Sequence, residues 1–346
     1  MSAVFALAGT AQAKPNNTPP GLAKKMAAAP QPFGGSVQVS AGQSIQAAID
    51  AASPGTTINV GPGTYAESLL ISKDGINLVG HGATLVPSSP PSPAGMGVLI
   101  ADADLSSPDF PPPINHIVTG VSLSGFTIDG QGQQDIGVFV FGAANTSITN
   151  DVARGNTGYG YFANTSSGTT FANDVASDGG EAGFYVGDSP NANASLTNLE
   201  SFNNEFGIFI RDAEGVRLMH VNSHDNCIGM FVLADNPGPS GNVDAHASSF
   251  DNNTKACPPV EDEDTPALSG LGVVLSGAND VRLDGNSISG NVPGGETFAT
   301  AGVGIILGDA GTSPTNISIH GNHMSGNSTN FIDDGSGVNV KISGNH

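Results

Sequence analysis

A glycine that opens a short apolar strand recurs along the chain at a near-constant step. The segments DIGVFVFG, GYGYFANT, EAGFYVGD, EFGIFIRD and CIGMFVLA place it at Gly137, Gly160, Gly183, Gly207 and Gly229, steps of 23, 23, 24 and 22 residues. LGVVLSG at Gly272 and VGIILGD at Gly304 continue the pattern at steps of 43 and 32, which implies inserted loops. Self-similarity at this period is the signature of a solenoid, in which no repeat can bury its apolar face alone. Two further short strands follow each glycine strand, as in GVRLMHVNSHDN, DVRLDGNSISGN and NISIHGNHMSGN, and each set closes on an Asn-rich corner. Three short strands and three turns per repeat describe one coil of an all-β parallel β-helix. Its coils stack at the inter-strand spacing of about 4.8 Å.

Equivalent residues then form columns along the axis. Strand alternation assigns the interior to Val138, Tyr161, Phe184, Ile208 and Met230, and to Val140, Ala163, Val186, Ile210 and Val232. It also turns Phe206 inward and the glycines outward. Asn204, Asn226, Asn253, Asn291 and Asn327 suit an internal ladder of hydrogen-bonded amides, since Asn tolerates left-handed corners and both donates and accepts. SIQAAIDAASPG predicts one amphipathic helix over about residues 44–52, with Ser44 as N-cap and a Pro-Gly stop. That helix would cover the open end of the coil stack, where bare strand edges invite aggregation. Pro-rich or acidic insertions are expected over about residues 87–113 and 254–269.

Charge narrows the partners. The chain carries a net charge of −21 with only ten Lys and Arg, and Lys14, Lys24 and Lys25 lie in the N-terminal tail. Phosphate backbones are held by clusters of cations, so nucleic acid is not an expected partner. Only 12% of residues are charged, and 48 glycines and 23 prolines favour turns and short strands over helices. MSAVFALAGTAQA resembles the end of a secretory signal peptide, cleaved after Ala13, and residues 14–36 read as a flexible Pro-rich leader before a single β-helix domain at 37–346. No apolar run of membrane-spanning length is present. The expected location is therefore secreted or extracellular, where the two cysteines, Cys227 and Cys257, would form a disulfide.

VSAGQSIQAAIDAASPGTTINVGPGTYAESLLI, followed by the glycine-strand and Asn-corner repeats, resembles the pectin-lyase-like superfamily. The resemblance covers nearly all of residues 37–346 and implies a single-stranded, right-handed parallel β-helix with a capping α-helix. It bears on fold more than on activity, because that superfamily includes lyases, hydrolases, esterases, epimerases, phage tailspikes and non-catalytic proteins. Gly63–Glu67 matches a G-x-Y-x-E of pectin methylesterases, whose other motifs are missing. FIDD at Phe331–Asp334 is not one of them. The repeats also resemble a periplasmic family implicated in copper delivery.

The outer columns of the glycine strands carry the candidate chemistry. Phe139, Phe162, Tyr185, Phe209 and Phe231 are expected to face outward in one row, a platform on which sugar rings could stack or a strip covered by loops or by another subunit. Glu181 and Glu205 occupy adjacent rungs beside it, and two carboxylates about 5 Å apart suit a retaining glycosidase as acid and nucleophile or base. Arg211 is the one cation in these columns; in β-helix lyases a basic residue removes the proton beside a uronate carboxylate. Asp188 and Asp212 form a second acidic pair that suits Ca²⁺. The alternative for all of these is a solvated, mutually paired surface. His220, His224, His320 and His323 are read as turn histidines, with copper or zinc as the sharper option, and the EDED run at 261–264 as a solvated loop.

These residues lead to a polysaccharide-binding protein that, if an enzyme, is carbohydrate-active. Glycoside hydrolysis through Glu181 and Glu205 is the first reading. The alternatives are a Ca²⁺-assisted lyase or epimerase using Arg211, or a non-catalytic glycan-binding surface protein. No cofactor is required beyond that optional Ca²⁺, and a homotrimer is compatible with the fold.

Overall fold

The computed structural model describes residues 35–88, 95–107, 111–235, 238–259, 266–309 and 311–346. The expected signal segment, most of the leader and the EDED run fall outside these. Two stacks of parallel strands run the length of the molecule. The glycine strands Ile136–Phe141, Tyr159–Asn164, Ala182–Ser189, Phe206–Met219, Ile228–Leu233, Leu271–Ser276, Ala301–Ile306 and Phe331–Asp333 pair in that order, each with the next coil. Second strands such as Ser147–Thr149, Thr170–Ala172 and Ala194–Thr197 pair likewise. Short third strands, Val152–Arg154, Val175–Ser177, Glu200–Phe202 and Asn222–His224, complete the coils. In the fourth of these coils first and second strands run on without a break, as Phe206–Met219.

The interior is apolar as expected. Val138, Tyr161, Phe184, Ile208 and Met230, with Val140, Ala163, Val186, Ile210 and Val232, all belong to one continuous buried core. Aromatic rings stack inside it too, Tyr161 on Phe184 at 4.8 Å.

The glycine column points the other way from the expectation. A Cβ on Gly183 or Gly207 would run into the buried hydroxyl of Ser201 or Ser223, and one on Gly229 would meet the amide nitrogen of Asn253 at 2.6 Å. Each glycine therefore faces inward, as does the residue after it, and the regular pairing skips the glycine: Ala182 pairs with Phe206 and Phe184 with Ile208. Two consecutive inward residues reverse the sense of what precedes them. Phe206 lies outside the coil, in a second apolar cluster with Phe209 and Cys227. In the seventh repeat the column passes through Gly302, against Gly272, and not through Gly304.

The Asn ladder forms as expected and is interior from Asn204 to Asn291, with its last member, Asn327, half-buried. Asn204, Asn226, Asn253 and Asn291 each donate a backbone N–H to the side-chain oxygen of the next coil's Asn, ending on Asn327. Their amide groups also donate to backbone carbonyls of the preceding coil, Asn226 to Ser201 and Asn253 to Ser223. The left-handed conformation belongs to the residues just before them, Asn203, Asp225 and Asn252. A second ladder runs through Asn286, Asn322 and Asn345. Further toward the N-terminus the polar positions inside the coil include two acids. Asp151 and Asp174 are fully buried; Asp151 accepts the Phe126 N–H, and Asp174 accepts the Asp151 N–H.

The helix forms over Ile45–Ala51, with Ser44 as N-cap and Ile45 and Ile49 buried on the first coils. Both ends are tied across the coil. The Glu67 carboxylate accepts from the Ile45 and Gln46 N–H groups and from the Ser44 hydroxyl. The Lys73 ammonium donates to the carbonyls of Ile49, Asp50 and Ala52. An anion at the N-terminus and a cation at the C-terminus both complement the helix dipole. The methylesterase-like Glu67 is thus a helix cap.

Candidate functional site

Phe139, Phe162, Tyr185, Phe209 and Phe231 do form one outward row, paired rung to rung. The row is not bare. The first four rings are only 6, 8, 3 and 5% exposed, and Phe231 is half-buried. Successive centroids lie 4.8, 4.2, 4.6 and 5.3 Å apart, stacked nearly parallel. Rings stacked at the strand spacing turn their faces to one another. Those faces are then unavailable to a sugar ring, which needs a face and not an edge. Ile136, Tyr159, Phe206 and Ile228 close one flank, and Phe141 and Leu233 border the other, making a second apolar layer outside the coil. Each ring buried in this way contributes about 1.5–3 kcal/mol. The bare platform expected from alternation is corrected accordingly: this row is mainly packing.

Beyond Phe231 the row loses bulk. Its next members are Val274, Gly304 and Ile332, and a Cβ on Gly304 would meet none of the described residues within 4 Å. The shrinking side chains leave a cleft of about 420 Å³, floored by Phe209, Phe231, Val274 and Gly304. Its wall comes from the loop ending in Pro266 and Leu268 and from the segment bearing Phe298, which is 59% exposed. That wall is built from cross-links. Cys227 and Cys257 form the expected disulfide. Cys257 and Leu268 exchange two backbone hydrogen bonds, and the Phe298 N–H donates to the Ala267 carbonyl.

Arg211, Asp235, Asp309 and Glu181 supply the charge around this cleft. Arg211 pairs with Asp235 and donates to the Tyr185 hydroxyl. Although burial opposes its charge, the Tyr185 and Asp235 oxygens raise its pKa, so it stays cationic. Tyr185 leans over the side-chain-free Gly187 to reach it. Burial raises the Tyr185 hydroxyl, and raises the Asp309 carboxyl with help from the neighbouring Asp235 charge.

The two glutamates sit on adjacent rungs, with the Glu205 N–H donating to the Glu181 carbonyl. Their surroundings differ. Glu181 borders the cleft and accepts the Tyr159 hydroxyl, whose pKa rises chiefly through burial and then through the Glu181 charge. Glu205 is not among the cleft residues and lies near the Lys255 ammonium. Lys255, half-buried and bonded to the Asn203 carbonyl, was not singled out in the sequence because its insertion offered no register.

Asp188 accepts from the Asn164 amide, and Asp212 accepts the Asp235 N–H. Asp212 is buried and its carboxyl is raised by desolvation. Among the described residues no group of three or more His, Cys, Asp or Glu side chains is placed to hold a metal ion. His224 lies between Asp225 and Glu200 and stacks on Phe202, whereas His220 occupies an exposed left-handed corner. His320 pairs with Asp284, and His323 packs edge-on against His346. No described helix is long and apolar enough to cross a membrane.

The model of a right-handed beta helix region matches residues 136–322. Among solved structures, the A-module of mannuronan C-5 epimerase AlgE4 from Azotobacter vinelandii is 17% identical with a TM-score of 0.53, covering 86% of this chain and 94% of that one. Pectate lyase Pel9A is 14% identical with a TM-score of 0.57, covering 90% and 79%. PfbA, a surface adhesin of Streptococcus pneumoniae, is 11% identical with a TM-score of 0.54, covering 81% and 80%. At such identities the likeness is one of fold. No curated protein matches the chain by sequence. The matched region takes in more than half of the residues, and parallel coils continue on either side of it; the protein belongs to the right-handed beta helix family.

Proposed function

We propose that this is an exported β-helix protein that binds a polysaccharide on the first-strand face, in the cleft beyond Phe231. The observation that carries the reading is the cleft itself: a mostly apolar floor with aromatic edges at Phe231 and Phe298 and a few charged groups at its rim. A sugar polymer presents apolar ring faces and polar rims in the same combination. The disulfide in the wall suits an oxidising compartment. Structural neighbours named as a mannuronan C-5 epimerase, a pectate lyase and a surface adhesin support a glycan ligand by analogy of fold.

Binding is favoured over cleavage. Of the glutamate pair only Glu181 borders the cleft. Arg211, held cationic by two oxygen partners, is poorly suited to remove a proton. Glycosidic cleavage with Glu181 as the acid is the second reading, since its carboxylate reaches the cleft beside the Tyr159 hydroxyl. Electrophoresis through gels cast with individual polysaccharides tests both. Retardation by at least one glycan, lost in Gly304→Phe, supports binding; no retardation in any gel refutes it. Release of reducing ends, lost in Glu181→Gln, would establish the second reading.

A further inference from the structure

We infer that the cleft takes a polysaccharide bearing free amino groups and rejects polyuronates. This deepens the reading above and rests on it. The inference comes from the balance of charge around the floor. Arg211 is the only cation among the residues that line the cleft, against the carboxylates of Glu181, Asp235 and Asp309. The Arg211 charge is already consumed by Asp235 and by the Tyr185 hydroxyl. A uronate entering the cleft would have to compete with an ion pair whose members are each only 29% exposed.

Asp309 is left over. The residue is exposed at the cleft, its carboxylate forms no hydrogen bond and no ion pair with the described residues, and the charges of Asp235 and Arg211 act on it. It lines the cleft together with Gly304, where the floor has no side chain. Behind Arg211 the buried Asp212 adds a further carboxyl, one oxygen of which has no hydrogen-bond partner among the described residues. The only other described cation close to the first-strand glutamates, Lys255, is bonded to the Asn203 carbonyl near Glu205 and Asp178. With −21 on the whole chain, the field over the cleft repels a polyanion and concentrates a polycation. A protonated amino sugar would pair with Asp309 in place of solvent while its ring rests on Phe231 and Phe298.

The test is affinity electrophoresis and titration calorimetry near pH 6 with three soluble polymers: polyglucosamine, its N-acetylated neutral counterpart in a hydroxyethylated, water-soluble form, and polygalacturonate. Polyglucosamine is expected to bind about tenfold or more tightly than the neutral polymer, weakening with added salt, and polygalacturonate not at all. Asp309→Asn should lower polyglucosamine affinity about fivefold to tenfold and leave the neutral polymer unaffected. Gly304→Phe keeps the net charge and fills the cleft, so it should abolish binding. If Gly304→Phe still binds polyglucosamine, the attraction is diffuse and the inference fails. Equal affinity for the charged and neutral polymers, or tighter binding of polygalacturonate, overturns the amino-sugar assignment and leaves the cleft as a glycan site. Binding of none of these polymers, nor of any other glycan, overturns both.

Discussion

Replacing Asp151 and Asp174 by Asn should stabilise the protein at neutral and alkaline pH and remove most of its pH dependence between about pH 4 and 8. Both carboxyls are fully buried inside the coil, and burial pushes Asp151 up to about 7 and Asp174 to about 8, from 3.8. In the unfolded chain both ionise near 3.8; in the fold they hold their protons. Protonation therefore favours the folded state. The stabilisation is complete below about pH 4 and is lost as pH rises through 7 and 8. A shift from 3.8 to about 7 corresponds to about 4 kcal/mol at full ionisation of Asp151. The two contributions do not add, because part of the Asp174 shift is the Asp151 charge itself. Asn has nearly the shape of the neutral acid and cannot ionise: its oxygen can still accept the Phe126 or Asp151 N–H, while the Ala172 N–H loses the second Asp174 oxygen as acceptor, a cost of about 1 kcal/mol that is smaller than the gain. Thermal melts followed by circular dichroism at pH 4.5 and 8.5 decide the matter. The wild type should lose several degrees across that interval, and the double variant should be nearly flat and melt higher at pH 8.5. A double variant with the wild-type pH slope, or one less stable than wild type at pH 8.5, would refute the reasoning.

Other perturbations read different parts of the molecule. Gly207→Ala forces a methyl group into the Ser223 hydroxyl and the Asn226 amide, and should cost about 1–3 kcal/mol in urea denaturation. Cys227→Ser with Cys257→Ser opens a loop of 30 residues, costing up to about 3–4 kcal/mol; glycan retardation should weaken under conditions where the coil remains folded by circular dichroism. Glu67→Ala strips two N–H groups and the Ser44 hydroxyl of their acceptor at the capping helix, for a loss of about 1–2 kcal/mol seen as a lower melting temperature.

The coil was legible because its period is written in residues that have no substitute: the glycines, the Asn corners and the apolar positions between them. What failed was the assumption that alternation runs unbroken through the glycine. The inward pair at Gly207 and Ile208 violates period two, and no single strand shows that. The column does show it, since a position held by glycine coil after coil is what interior crowding leaves. The same slip hid the cleft. Aligning the seventh repeat on Gly304 instead of Gly302 placed the gap in the glycine column rather than at the end of the aromatic row, so the thinning from Phe231 through Val274 to Gly304 went unseen. Phe298 and Lys255 lie in insertions where no period exists to place them. Asp151 and Asp174, in TNDV and ANDV, look like ordinary corner acids until neighbouring coils are stacked over them.

The inward glycines and the amide ladder also restrict where the chain can change length. An extra residue on any strand would carry a side chain into the Asn and Ser rungs of the coil above, so growth has to leave at the corners. Two excursions do so at the same corner on adjacent coils: the loop tethered through Cys257 follows the ladder residue Asn253, and the Phe298 segment follows Asn291. Lengthening or shortening either one would reshape the mouth of the groove while every rung beneath stays in register, so descendants of this chain could trade ligands by editing two loops alone.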